Sequence, residues 1–371
     1  VDHVEAWVRS HLTRTLSDAD WSALMLAYPS QQAAIRDIRV RLTHASFQHP
    51  PNPYDCYLLD GLERDLLNEL HHLLGETPWQ QDALPPNWAQ FRIQLTQPDT
   101  LAWVSVNRQH GGFTLHCAPA DVAARLSAIW EQQPVVLIGA AVDADSRART
   151  YRQQLGLDDL TCLKFATDRH NDSIQLYLPD RLPMPNTSHF QAAVLQEIRD
   201  LLNRPATRPH FSVVLVGDTP MKAQIGTVLA AEFGSRVRVE APLPQSPQAS
   251  NGILVTGWAY WQANQLDLPC PQQLIITTLP LPSLEDPMVS GRVAHYKRRR
   301  QDWFRLYLLP EAIRQLQLAI APVQVSQGRV ALLDNRVNHR SYGRQILAAL
   351  DPAARSSYSD DPLDLDLSDL T

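Results

Sequence analysis

Residues 304–344 read FRLYLLPEAIRQLQLAIAPVQVSQGRVALLDNRVNHRSYGR, and the second half of that stretch decides the fold. Val330-Ala331-Leu332-Leu333 is a short apolar run, the pattern of a strand buried on both faces, and Asp334-Asn335-Arg336 closes it. Working back from it, runs of the same kind recur. The sequence predicts strands over 174–178, 212–216, 237–239, 253–256, 274–278 and 329–333, with helices near 188–203 and 220–233. Short β-rich runs alternating with helices imply an α/β fold with a parallel sheet covered on both faces. The strands ending near Gly217, Gly257 and Thr278 should then lie side by side with their C-terminal ends on one edge, joined by the strand from Arg329.

The N-terminal part has a different rhythm. Val4, Trp7, Val8 and Leu12 recur at helical spacing, as do Leu62, Leu66, Leu67, Leu70 and Leu73, so residues 1 to about 90 read as helical. Pro50-Pro51-Asn52-Pro53 interrupts them. Apolar runs at 102–106 and 112–115, divided by Asn107 to Gly111, signal a β-hairpin. A helix over 119–130 and an apolar strand over 134–139 are expected next.

With 371 residues and 44% hydrophobic content, the chain has material for two or three cores. A formal charge of -6 excludes a surface that binds nucleic acid everywhere but not one basic groove. No apolar run reaches transmembrane length and no signal peptide is visible, so no membrane partner is expected. Cys56, Cys117, Cys162 and Cys270 are widely spaced and form no CxxC pair, which points away from zinc or disulfides and towards a reducing, cytoplasmic setting. The three lysines, Lys164, Lys222 and Lys297, never follow glycine in a GK[ST] context. A P-loop needs such a lysine and a Gly-rich turn, and this chain supplies neither.

Several phrases, in order, resemble the end of a DinG/XPD-type superfamily 2 DNA helicase. They are Tyr151 to Leu157, Leu182-Pro183-Met184-Pro185-Asn186, Val213 to Thr219, Ile253 to Pro287, and the quoted segment with Leu309-Pro310-Glu311-Ala312, the Leu332-Leu333-Asp334-Asn335-Arg336 strand and Tyr342-Gly343. The resemblance implies a RecA-like second motor domain preceded by a helical arch-like region. The expected plan is residues 1–112 for the arch-like region with its hairpin and 113–150 for a returning piece of the first motor domain. Residues 151–352 form the RecA-like domain and 353–371 a disordered acidic tail. The chain opens on Val1 directly in a helical pattern, so the other half of the first motor domain is expected upstream.

The departures from the family pattern matter as much. Where the family has glutamine, two glycines and two phosphate-reaching arginines, this chain has Leu318, Ala319, Ala321, Pro322 and Val325. Cations of that kind carry much of the rate in phosphoryl transfer. The resemblance therefore implies ATP and Mg only if an upstream first motor domain supplies them, and this chain cannot furnish the iron–sulfur cluster of XPD-like relatives.

Carried over residue by residue, the resemblance and the composition nominate these positions. Thr219, with Lys222 one helical turn on, stands at a strand end where the family contacts a nucleic-acid phosphate. Tyr260 and Trp261 match an aromatic pair available for base stacking. Lys297, Arg298, Arg299 and Arg300 form the basic cluster of the chain and suit phosphate contacts. Asp267, Arg329 and Arg336 are the nucleotide-binding candidates, the arginines as replacements for the lost pair. Expected partners are single-stranded DNA or RNA, and a protein that meets the tail, where Leu363, Leu365 and Leu367 alternate with Asp364 and Asp366. Two functions compete: a DinG-type helicase-related protein that grips single-stranded nucleic acid with degraded ATPase motifs, and an inactive pseudo-helicase that acts as a scaffold.

Overall fold

The computed structural model describes residues 4–75, 84–139, 141, 143, 147–157, 159–163, 174–204, 210–241, 251–351 and 353–356. The chain divides into two compact units, Val1–Cys162 with Pro282–Pro310, and Leu163–Leu281 with Glu311–Thr371.

The first unit opens with α1 (Val4–Leu12), β1 (Arg14–Leu16), α2 (Asp18–Ala27) and α3 (Gln32–Gln48). It continues through β2 (Cys56–Leu58), α4 (Gly61–Gly75), α5 (Pro86–Leu95), β3 (Thr100–Asn107), β4 (Gly112–Pro119), α6 (Ala123–Trp130) and α7 (Arg149–Leu155). The expected hairpin is β3–β4, and it sits at the centre of an antiparallel sheet of order β1-β4-β3-β2. The period of two sends Ala102, Val104 and Val106 of β3 and Phe113, Leu115 and Cys117 of β4 into one core. There they meet Trp21, Leu24, Ile35, Leu42, Leu66 and Leu70 from the helices. β1 and β2 correct the all-helical reading of residues 1 to 90: each is three residues long, too short for alternation to register.

Two more expectations change here. The helix expected from Pro119 starts at Ala123, because Pro119 is the last residue of β4. The run at 134–139 forms no strand, and Val136 (85% exposed) and Ile138 (79%) face solvent. High β propensity alone does not make a strand, because packing against neighbours decides it.

In the second unit the chain runs β5 (Ile174–Tyr177), α8 (Phe190–Leu202), β6 (Ser212–Val216), α9 (Thr219–Phe233), β7 (Val237–Val239), β8 (Ile253–Gly257), α10 (Trp258–Asn264) and β9 (Gln273–Ile276). After α11 (Pro287–Arg298), which belongs to the first unit, come α12 (Leu309–Val325), β10 (Arg329–Leu332), α13 (Arg336–His339), α14 (Gly343–Ala349) and β11 (Ala353–Ser356). The described strands form one seven-stranded sheet, β11-β5-β10-β9-β6-β8-β7, and every pair in it is parallel. β6 is buried at all five positions, as a strand with both faces covered must be. Val214 and Val216 point to the face where α8 and α9 lay down Phe190, Val194, Ile198, Met221, Ile225 and Leu229. Val213 and Leu215, pointing the other way, are also fully buried.

β11 corrects the start of the disordered tail expected from residue 353, adding it to the sheet with Ala353 opposite Ile174 and Ser356 opposite Tyr177. The chain thus supplies an edge strand to itself just before the acidic repeat. Residues 357–371, with Asp364 and Asp366, lie outside the described residues.

The Tyr342-Gly343 phrase has a packing explanation. A Cβ at Gly343 would overlap the Val337 carbonyl, so α13 and α14 can turn back on each other only with glycine there. Because the obstacle is backbone, Gly343→Ala is expected to destabilise the Leu163–Leu281 unit by about 2 kcal/mol or more, read as a lower midpoint in urea.

Candidate nucleic-acid interface

Parallel strands deliver their C-terminal ends to one edge, and in open α/β sheets ligands sit there. In the second unit this edge is built by the turns after β6, β8, β9 and β10. β6 leads into Gly217-Asp218-Thr219, and Asp218 caps α9 by accepting from the Met221 N–H at 2.7 Å. Thr219 is then the first residue of α9 and is exposed. A Cβ at Gly217 would overlap the Thr278 hydroxyl, so glycine lets the ends of β6 and β9 close up.

Lys222 stands one turn further along α9. Its Nζ lies 2.6 Å from Glu240 Oε1, and the same oxygen accepts from the Gly257 N–H at 3.0 Å. Glu240 follows β7 and holds a left-handed φ of 44°. Burial raises its pKa, but Lys222 and the Gly257 N–H more than offset that and leave the carboxyl below the ordinary value.

At the end of β10, Asp334 is fully buried. It accepts from the Leu279 N–H at 2.7 Å and from Arg336 Nε at 2.9 and 3.0 Å and Nη2 at 2.5 Å. Asn335 donates to the Leu182 carbonyl at 2.6 Å and so ties the strand end to the Leu182-Pro183 phrase.

The nominated residues divide between the units. Thr219, Lys222, Tyr260, Trp261, Asp267, Arg329 and Arg336 belong to the second, and Lys297 to Arg300 to the first. Trp261 is fully buried and donates its indole N–H to the Ala319 carbonyl at 3.3 Å, so it has no free face for a base. Tyr260, its neighbour on α10, is half-buried, and Asp267 is exposed in the turn beyond that helix. Arg329 opens β10 and donates to Gln175 at 3.2 Å. It therefore lies at the opposite edge of the sheet from Arg336, and the two cannot serve one ligand at the C-terminal edge. Pro322 and Val325 occupy the last turn of α12, Val325 with 77% of its surface in solvent.

The basic run closes α11, where the helix C-terminus favours positive charge. Arg299 reaches Asp99 at 3.1 Å and Asp121 at 3.6 Å, Arg298 reaches Asp99 at 3.5 Å, and Lys297 lies 5.3 Å from the Trp303 ring. Arg300 follows with φ at 56°. Two of the four cations thus already face carboxylates within their own unit. Arg336 is held by Asp334 and Lys222 by Glu240, and Leu318, Ala319, Ala321, Pro322 and Val325 offer no charge to a nucleotide. Sequence reasoning missed Glu240, Gly257 and the buried role of Asp334, since no local motif marks a carboxylate 18 residues from its lysine.

Residues 251–353 match the family model described as a helicase C-terminal domain. These are the residues that run from β8 through α14 to the start of β11. Among curated proteins, the chain is 23% identical over 272 residues to the ATP-dependent DNA helicase YoaA of Escherichia coli K12, an alignment covering 71% of this chain and 42% of that one. It is 21% identical over 271 residues to YoaA of Haemophilus influenzae Rd, covering 66% and 40%. Among solved structures, an XPD helicase superposes with a TM-score of 0.54 at 11% identity, covering 96% of this chain and 67% of that one. The stretch from β8 to the start of β11 is thus similar to a helicase C-terminal domain, and the fold is similar to that of XPD helicases. S. tokodaii Xpd4 superposes with a TM-score of 0.54 at 12% identity, over 96% of this chain and 74% of that one. The chain spans about two fifths of the curated helicases it matches.

Proposed function

We propose that this chain grips single-stranded nucleic acid through the C-terminal edge of its RecA-like sheet and does not hydrolyse ATP by itself. The observation that carries this reading is the edge itself. An exposed hydroxyl at Thr219, the Lys222 ammonium and the bare backbone of Gly257 are gathered at the strand ends, which suits a phosphate diester and needs no base identity. The basic run Lys297 to Arg300, in the other unit, is a separate candidate for phosphate contact where Asp99 and Asp121 release it. Pro322, Val325 and the paired Arg336 support the absence of turnover, since nothing at those positions stabilises charge developing on a γ-phosphate. ATP and Mg belong to this reading only through a first motor domain supplied upstream.

The test is fluorescence anisotropy of a labelled single strand at two salt concentrations, with phosphate release measured in parallel. Thr219→Ala and Lys222→Ala should each weaken binding across sequences, and Lys222→Ala, which alone removes a charge, should lower the salt slope by about one. Arg298→Ala/Arg299→Ala/Arg300→Ala should do so less than additively, because Asp99 and Asp121 already neutralise part of that charge. Binding that is absent or insensitive to salt in the wild type rejects the reading and leaves the pseudo-helicase scaffold. Strand-stimulated phosphate release abolished by Arg336→Ala rejects the inactive assignment.

A further inference from the structure

The Lys222–Glu240–Gly257 contact has the chemistry of an oxyanion site with its ligand already seated. An ammonium and a backbone N–H converge on one carboxylate oxygen, at 2.6 and 3.0 Å. This is the donor pair that recognises phosphate. Gly257 keeps the space open: a Cβ there would stand 3.3 Å from Glu240 Oε1 and 3.6 Å from Lys222 Nζ. The occupant is loosely kept. The Glu240 side chain retains 32% of its exposure, and its backbone holds φ at 44°, a region that costs a non-glycine residue free energy. The Glu240 backbone N–H is held separately by the Val255 carbonyl at 3.2 Å, so the side chain can leave Lys222 without moving the main chain.

We propose that Glu240 is a built-in competitor for a phosphate-binding site formed by Lys222 Nζ and the Gly257 N–H, and that a phosphate group displaces it. A carboxylate carries one charge and a phosphate monoester nearly two at pH 7, so the exchange favours the incoming ligand once Glu240 swings out. A phosphodiester of a nucleic-acid strand offers the same acceptor oxygens but a single charge, so a free phosphate is the stronger displacer and a strand would draw on its other contacts. The strand as source rests on the function proposed above, whereas the site itself does not.

Removing the competitor tests it. Inorganic phosphate is titrated into the full chain and followed by 31P line broadening, and a labelled oligo-dT single strand is followed by anisotropy. Glu240→Gln should bind phosphate at least fivefold more tightly than wild type, and Glu240→Ala should agree. Adding Lys222→Ala to Glu240→Gln should abolish the gain. Glu232→Gln, which removes an equal charge from α9 at an ion pair with Arg199, should show no gain. Tighter phosphate binding with no strand binding keeps the competitor and rejects the nucleic-acid reading. Equal phosphate binding in wild type and both Glu240 variants, a gain that survives Lys222→Ala, or the same gain from Glu232→Gln overturns the proposal. Thermal melts of each variant identify loss of fold.

Discussion

Glu5→Ala is expected to unfold the Val1–Cys162 unit with a loss of about 3–5 kcal/mol, a large share of a small unit's stability. Glu5 lies between two buried guanidinium groups. Arg9 pairs with it one turn along α1, and Arg292 of α11 reaches the same oxygen at 2.7 Å. Arg9 also donates to the Pro119 and Ala120 carbonyls at 3.2 and 3.1 Å, which pins α1 to the end of β4. Arg292 lies 3.8 Å from the centre of the Tyr307 ring. Deleting the carboxylate leaves two like charges facing each other out of water, the costly way to break a buried network. Replacing all three groups by apolar residues should cost much less.

The same site sets an acid limb. Burial pushes the Glu5 carboxyl up, but Arg292 and Arg9 together hold it below the ordinary glutamate value of 4.5. A depressed folded pKa contributes stability that is whole above the unfolded value and is lost as pH falls through the folded one. The unfolding midpoint should therefore drop below about pH 4.5 in wild type, and Glu5→Gln should flatten that limb. An unchanged limb in Glu5→Gln would assign the acid sensitivity to other carboxyls.

Asp334→Ala should be nearly as damaging to the other unit, by about 3 kcal/mol in chemical denaturation. It strands the Leu279 N–H inside the fold and leaves the Arg336 guanidinium without its carboxylate. Asp334→Asn should fall between, keeping one acceptor while losing the charge. The partner variant separates two roles for Arg336. If Arg336→Ala lowers the midpoint with no nucleotide present, the residue is a structural partner of Asp334. An unchanged midpoint would free it for a ligand.

The central sheet was legible because its strands are buried on both faces, so they read as unbroken apolar runs with β-branched residues. β6 and β7 fall on the expected residues, and β5, β8, β9 and β10 within two residues at either end. The site was less legible. Adjacent aromatics look alike in a sequence, yet neighbours on a helix point about 100° apart. Trp261 therefore faces the core while Tyr260 is only half-buried. Charge pairs were hidden for a related reason. The partners of Arg298 and Arg299 lie some 180 to 200 residues away in sequence, at Asp99 and Asp121, where folding and not spacing brings them.

The exposed run at 134–139 also bears on how the purified chain behaves in a tube. PVVLIG has no charge of its own, and Val136 and Ile138 hold their branched side chains in water. Segments of that composition seed sheet-like association between molecules. The net charge of -6 opposes such contacts only through a field that salt screens within about 10 Å. Colloidal stability should thus be governed by these two side chains more than by overall charge, and precipitation should set in as ionic strength and concentration rise together.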